Sequence, residues 1–350
     1  MTSLRDTPEE GAAPGASTVR IAPGDADVRL DRWLRRHFPE APYALVQKWL
    51  RTGQVRLNGG RARAGARLQR GDLVRLPHVA AASPAVRPKP APRVSASDAE
   101  SLRALVLHRD DQLLAINKPP GLAVQGGTGT RRHLDAMLDA LRYGAVDRPR
   151  LVHRLDKDTS GVLVFARNPA AAASLAAVFR ARDVRKLYWA VVAGVPSPAA
   201  GRIDLDLAKR PGRKGERTHV VEAGGRHAST LYRVIDRAGK KAAWVAFEPL
   251  TGRTHQVRAH AAALGTPVLG DGKYGGRRAF LEADGISRML HLHARAIRIP
   301  HPAGGTLAVV APLPEHMRQT MRALGFDARG ADDAFTGDAE APRRTPGGER

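Results

Sequence analysis

The sequence predicts an α+β fold, a mainly antiparallel β-sheet preceded by a small separate domain, and three observations lead there. Runs with β-type patterning outnumber helical ones and do not alternate with them regularly, unlike the strict succession of a parallel α/β sheet. The length of 350 residues suits two folded domains with tails. Composition breaks over residues 79–98, where Ala80-Ala81-Ala82-Ser83-Pro84 leads into Pro88-Lys89-Pro90-Ala91-Pro92 without hydrophobic periodicity, as in a semi-rigid linker. The expected organisation is a disordered N-terminus (1–17), a small domain (18–78), the linker (79–98), a large domain (99–326) and a disordered, patternless tail (327–350).

In the small domain Leu30, Trp33, Leu34 and Phe38 recur at helical spacing. Pro42 stands at a first helical position for a second helix carrying Val46, Trp49 and Leu50, which Gly53 ends. Val55 and Leu57 lead into an Asn58-Gly59 turn, and Leu73, Val74 and Leu76 form a further short strand. Arg32, Arg35, Arg36, Lys48 and Arg51 fall on the polar remainder of the helices. They read either as an ordinary solvated face or, in so basic a chain, as an RNA-binding face.

The large domain opens with Leu105-Val106-Leu107, an Asp110-Asp111 turn and Leu113 to Ile116. That strand must stop at Pro119-Pro120, which cannot donate ladder hydrogen bonds. Leu134, Met137, Leu138 and Leu141 have helical spacing, Val162 to Phe165 is strand-like, and Asn168-Pro169 caps a helix with Leu175, Val178 and Phe179 on its apolar face. Further β-type runs are Tyr188 to Val192, Thr230 to Ile235, Trp244 to Phe247 and Ile297 to Ile299.

Charge narrows the function. Fifty-seven Lys and Arg against thirty-four Asp and Glu give a net charge of +23, which points to a polyanionic partner. Only ten of the basic residues are Lys; Arg suits phosphate recognition, and codon bias in an Ala-rich chain produces the same excess. The absence of cysteine excludes disulfides, thiolate metal sites and Cys nucleophiles and fits a reducing, cytoplasmic setting. The first residues lack the apolar core of a signal peptide, and no apolar run reaches membrane-span length, so a soluble protein with no membrane partner is expected.

Two segments carry candidate chemistry. In Leu151 to Gly161, turn formation alone explains Asp158, Thr159, Ser160 and Gly161. It explains Asp156 less well: with Lys157 adjacent and Arg154 two residues away, this is the setting of a carboxylate kept ionised by cations as nucleophile or base. The second segment, Thr251 to His260, is followed by Gly265, Gly270-Asp271 and Tyr274-Gly275. A helix over 254–263 would put His255 and Arg258 one turn apart and turn Val257 and Ala261 to the core. A His255/His260 metal pair is disfavoured by its five-residue spacing and the lack of any carboxylate in that helix. Gly126-Gly127-Thr128-Gly129 lacks both the GxGxxG spacing and a following Lys-Ser/Thr, so a nucleotide cofactor is set aside.

In order along the chain stand Asn117-Lys118-Pro119-Pro120-Gly121, HRLDKDTSG from His153, Lys186-Leu187-Tyr188, and GRTHQVRAH from Gly252 with Gly270-Asp271 and Tyr274-Gly275. Together they resemble the motifs of the RluA-type pseudouridine synthases. The helix-helix-strand pattern of residues 18–78 resembles the small α-L RNA-binding module named after a ribosomal small-subunit protein. That module and the Val124 to Gly127 continuation are similar to the RluC-like and RluD-like branches, with RluC-like preferred.

The resemblance implies isomerisation of specific uridines in large-subunit (23S) ribosomal RNA, with no cofactor and no metal, by a protein whose default state is monomeric. It implies that Asp156 attacks the target uridine, so that the base detaches, rotates and rejoins the ribose through carbon. Tyr188 would pack on the base or take the C5 proton, Arg258 would pair with the catalytic carboxylate, and Arg154 would help displace the base. Lys118 and Arg253 fit phosphate contacts or loop anchors. The competing readings are a non-catalytic rRNA-binding assembly factor and an rRNA methyltransferase. The motif residues argue against the first, and no Gly-rich strand-to-helix loop supports the second.

Overall fold

The structure, a computed structural model, describes residues 17–22, 25–26, 28–38, 41–77, 95–126, 132–210, 217–328 and 335. The expected N-terminal tail up to residue 16, residues 79–94 of the linker, Gly127 to Gly129 and most of the C-terminal tail lie outside them. The chain forms two units, Met1–Ala91 and Pro92–Arg350.

The first unit runs β1 (Ser17–Arg20), α1 (Leu30–His37), α2 (Tyr43–Thr52), β2 (Arg56–Leu57), β3 (Gly60–Arg61) and β4 (Leu73–Leu76), with sheet order β1-β4-β2-β3. Its core is the apolar set read from helical spacing: Leu30, Trp33, Leu34, Val46, Trp49 and Leu50 pack with Val55, Leu68 and Val74. Pro42 is extended (ψ 143°) and precedes α2 rather than occupying its first turn, and Gly53 closes that helix in the left-handed region. Asn58 (φ 49°) and Gly59 (φ 78°) form the β2–β3 turn, with both central residues at the positive φ that tight hairpins favour. Arg32, Arg35, Arg36, Lys48 and Arg51 are all exposed.

The second unit runs α3 (Ala96–Arg103), β5 (Val106–Arg109), β6 (Leu113–Lys118), α4 (Leu134–Met137), β7 (Arg150–Leu151), β8 (Ser160–Ala166), α5 (Pro169–Ala181), β9 (Arg185–Ala193), β10 (Ala200–Arg210), β11 (Arg217–Val220), β12 (Arg226–Ala238), β13 (Ala242–Pro249), α6 (Gln256–Ala263), β14 (Leu292–Pro300), β15 (Thr306–Val310) and α7 (Glu315–Ala323). The main path of its sheet is β11-β10-β12-β13-β9-β14-β8-β6-β5, with β15 on β14 and β7 on β8. Among the described residues every pairing between these strands is antiparallel except β14 with β8, so the mainly antiparallel α+β expectation holds. No helix among the described residues is long and apolar enough to cross a membrane.

Strand alternation builds two cores on the central strands. Leu187, Trp189 and Val191 of β9 and Trp244 of β13 pack with Met317 and Met321 of α7. Ala190, Val192, Val245 and Phe247 pack with Val257 and Ala261 of α6, with Tyr188 against the same cluster, as a period of two requires. The expected linker reached residue 98, but Ser95 Oγ accepts from Asp98 N at 3.0 Å and starts α3 there. The helix expected over 134–141 is one α turn followed by a 3₁₀ turn from Leu138 to Leu141. Within the tail expected to be disordered, Phe335 is buried in the α7-side core beneath the Arg185 guanidinium, 4.7 Å from its ring centre.

One cross-strand row positions the site. Gly161 of β8 pairs with Ala294 of β14, and Ala294 pairs in turn with Tyr188 of β9. A Cβ at Gly161 would stand 2.2 Å from the Ala294 carbonyl oxygen, and its φ of +112° excludes other residues as well. The Asp156 loop, which enters β8, is thereby brought beside Tyr188. Phe247, near the end of β13, pairs with the same Tyr188, so the segment leading into α6 emerges at the same end of the sheet.

Candidate active site

The loop carrying Asp156 is pinned at several points. His153 Nε2 accepts from Val164 N at 2.9 Å and its ring stacks on Phe179. Burial pushes the His153 pKa down to about 3, so the ring is a neutral acceptor. Leu155 is buried among Leu114, Leu163 and Phe165, and Thr159 N closes a turn on Asp156 O at 3.2 Å. Lys118 is fully buried and its Nζ donates to Pro119 O, Leu122 O and Lys157 O at 2.8, 3.0 and 2.9 Å. Of the two roles expected for Lys118, loop anchor is therefore the correct one: an ammonium with three carbonyl acceptors and no exposure has nothing left for a phosphate. Burial lowers its pKa to about 8, against the opposing pull of Asp158 and Asp156.

Asp156 opens into a cavity of about 360 Å³ lined also by Arg154, Lys186, Tyr188, Arg253, His255 and Arg258. Its side chain is 23% exposed. Two nitrogens face one of its oxygens, Oδ2: His255 Nε2 at 3.6 Å and Arg258 Nη1 at 3.9 Å. The expectation that Arg154 and Lys157 hold the carboxylate ionised is corrected here. Both are exposed, and the side chains paired with Asp156 are His255 and Arg258 instead. The facing nitrogens, one on a guanidinium and one on an imidazole, come from the segment around α6, about a hundred residues away in sequence.

Arg258 is also more than a partner of Asp156. Its Nε and Nη2 donate to Asp271 Oδ2 and Oδ1, each at 2.7 Å, and both side chains are buried. The bidentate pair fixes the guanidinium plane and leaves Nη1 toward Asp156. Tyr274, three residues after Asp271, accepts from Thr218 N at 3.1 Å and stands 2.9 Å from His255 Nδ1.

Tyr188 reaches the cavity from the α6-facing side of β9. Burial, and then the negative charge of Asp156, push its phenol pKa well above 10, so the hydroxyl keeps its proton at neutral pH. Lys186, two residues earlier on the same side, has its pKa lowered by burial. Arg253 Nε donates to His227 O at 3.1 Å, and exposed Arg154 lines the cavity without a charged partner among the described residues. The helix expected over 254–263 begins at Gln256, with His255 held in the left-handed region (φ 54°) just before it.

Sequence reasoning thus identified Asp156, Tyr188, Arg154, Arg253 and Arg258, which line one cavity. It gave no role to Asp271 or Tyr274, although the Gly270-Asp271 and Tyr274-Gly275 spacing was the available signal, and it weighed His255 only as a metal ligand. Among the described residues no group of three or more His, Asp or Glu is placed to hold a metal ion.

Such a sheet, with one carboxylate set among basic side chains, defines a class. The family described as RNA pseudouridylate synthase matches residues 112–263, and the S4 domain matches residues 28–74. Ribosomal large subunit pseudouridine synthase C of Vibrio vulnificus (strain CMCP6) is 35% identical over 312 residues, 87% of this chain and 96% of that protein. The protein of the same name from Escherichia coli (strain K12) is 35% identical over 315 residues, 89% of this chain and 97% of that one. Of solved structures, human RNA pseudouridylate synthase domain containing 4 is 31% identical, with a TM-score of 0.55 over 65% of this chain and 95% of that one. The chain belongs to the RNA pseudouridine synthase family.

Proposed function

We propose that this enzyme isomerises specific uridines of large-subunit (23S) ribosomal RNA to pseudouridine, with Asp156 as the nucleophile. The observation that carries the reading is the meeting of Asp156, Tyr188 and Arg258 in one cavity rimmed by Arg154 and Arg253. The substrate class follows the names of the relatives, which act on the ribosomal large subunit, and agrees with the net charge of +23.

The uridine must leave its stack to reach a carboxylate at the bottom of a cavity, at a cost of a few kcal/mol that backbone contacts offset. Arg253, anchored through Nε, suits a flanking phosphate, and exposed Arg154 suits the space the flipped base vacates. The N1–C1′ bond breaks, a C5–C1′ bond forms and a proton passes from C5 to solvent while N1 gains one, so atoms balance without a co-reactant. Burial and the charge of Asp156 hold the Tyr188 phenol protonated in the free enzyme, which favours packing on the base as its role over taking the C5 proton. The exposed Arg32, Arg35, Arg36, Lys48 and Arg51 are assigned to backbone contacts of the small domain, and the enzyme is taken to work as a cytoplasmic monomer.

The test is tritium release from large-subunit rRNA labelled at uridine C5, without cofactor, for wild type and Asp156→Asn. Release by wild type and none by the variant, at similar RNA affinity, is the expected result. No release by either, with RNA binding intact, would instead leave a non-catalytic assembly factor.

A further inference from the structure

The turn over residues 270–275 carries two side chains that reach back to the two groups facing Asp156: Asp271 grips Arg258, and Tyr274 meets His255. We propose that His255 is a positioning residue for Asp156, its Nε2–H aimed at Oδ2 and its tautomer set by Tyr274, so that Oδ1 is left as the attacking oxygen. This rests on the isomerase reading above and adds to it which oxygen reacts and what orients it.

Hydrogen-bond direction carries the argument. The backbone amide of Thr218 can only donate, so Tyr274 Oη accepts there at 3.1 Å. Thr218 Oγ1 gives its own proton to Thr254 O at 2.9 Å, which fastens β11 to the residue before His255. Tyr274 Oη then faces His255 Nδ1 at 2.9 Å with a proton to give. Were the imidazole proton on Nδ1 instead, the bare Nε2 lone pair would confront the Asp156 carboxylate at 3.6 Å, an acceptor against an anion. Both ends of the ring therefore favour the Nε2–H tautomer, as a second partner usually decides for histidine.

The groups facing His255 are Asp156, Arg258, Lys273, Asp271 and Tyr274. Burial lowers the His255 pKa against the pull of Asp156, which keeps the ring neutral and the tautomer meaningful. Nε2 and Arg258 Nη1 both approach Oδ2, and no side chain among the described residues pairs with Oδ1. At 3.6 Å the Nε2 contact is longer than a hydrogen bond and must tighten when substrate fills the cavity, as catalytic contacts commonly do.

The experiment compares full-length wild type, Tyr274→Phe, His255→Ala and His255→Gln for tritium release from C5-labelled large-subunit rRNA, with ¹⁵N shifts of the His255 ring. His255→Ala and Tyr274→Phe are expected to lower kcat roughly 10- to 100-fold, with KM for RNA within about threefold, the signature of misplaced rather than missing chemistry. The Gln amide N–H can occupy the place of Nε2–H, so His255→Gln should recover most of the loss. Wild type should show the Nε2–H tautomer and Tyr274→Phe a mixture. Unchanged kcat in His255→Ala, a Gln variant as impaired as Ala, or an Nδ1–H ring in wild type would overturn the proposal. If wild type itself releases no tritium, the isomerase reading fails, and the ring shifts still decide the hydrogen-bond chain separately.

Discussion

Asp271 binds Arg258 through two 2.7 Å hydrogen bonds, while the same guanidinium stands 3.9 Å from Asp156. The tighter partner of this arginine is thus the aspartate that orients it, and Asp156 meets a charge already fixed in place. Removing one member of a buried pair leaves the other uncompensated. Asp271→Ala is therefore expected to cost about 3–5 kcal/mol of stability, read from urea unfolding. A loss under about 1 kcal/mol would show that Arg258 finds another acceptor.

Gly161 and Gly59 make a controlled pair. Both have positive φ, but a Cβ at Gly161 meets the Ala294 backbone at 2.2 Å whereas one at Gly59 meets nothing within 4 Å. Gly161→Ala is expected to destabilise by about 4 kcal/mol or more, since two paired strands must separate. Gly59→Ala should lose only about 1 kcal/mol, from the backbone conformation alone. Thermal melts of the two variants check the ratio, and equal shifts in Tm would place the cost in φ rather than in the β8–β14 contact.

Burial lowers His153 to a pKa of about 3 and His260, His291 and His293 to about 4. With folded pKa values below the unfolded 6.5, the unfolded chain binds more protons as pH falls, so the stability present above pH 6.5 is lost through pH 4. The slope is about 1.4 kcal/mol per pH unit for each group. Four of them outweigh a typical domain stability within two or three units, so circular dichroism should show acid unfolding near about pH 5. A native spectrum persisting at pH 3.5 would contradict neutral buried rings.

For the small domain the prediction concerns salt. If Arg32, Arg35 and Arg51 contact phosphates, replacing all three with Gln reduces the slope of log K against log salt by about 0.7–0.9 per contact. Filter binding of rRNA at several salt concentrations measures it. An unchanged slope would reduce these charges to an ordinary solvated face.

Much of this molecule was legible before folding. The continuous apolar run Trp244 to Phe247, the Asn168-Pro169 cap and the Asn58-Gly59 turn all express local preferences, and each appears where expected. α7 was missed because its buried face is partly polar: His316 and Thr320 are buried with Met317 and Met321, and Thr320 bonds the His291 ring at 2.9 Å. Apolar periodicity cannot register a helix whose inward residues are hydrogen-bonded polar ones. β10 was overlooked although Ile203, Leu205 and Leu207 do alternate with Arg202, Asp204 and Asp206, so the signal was present.

The sequence by itself determined the fold class and the antiparallel character, because periodicity is written locally, and it made Asp156 a candidate, while Tyr188 and Arg258 came from the family resemblance of its ordered motifs. It could not decide who faces whom. Adjacency in the chain nominated Arg154 and Lys157 as the cations beside Asp156 while the resemblance named Arg258, and the β8–β14–β9 row, with the chain leaving β13 for α6, brought Arg258 there together with His255, which no sequence reading had placed beside the carboxylate. Lys118 likewise became an anchor only once three carbonyls closed around it. Electrostatic partnership depends on distance and burial in space, and both are set by strand pairing across more than a hundred residues rather than by position in the chain.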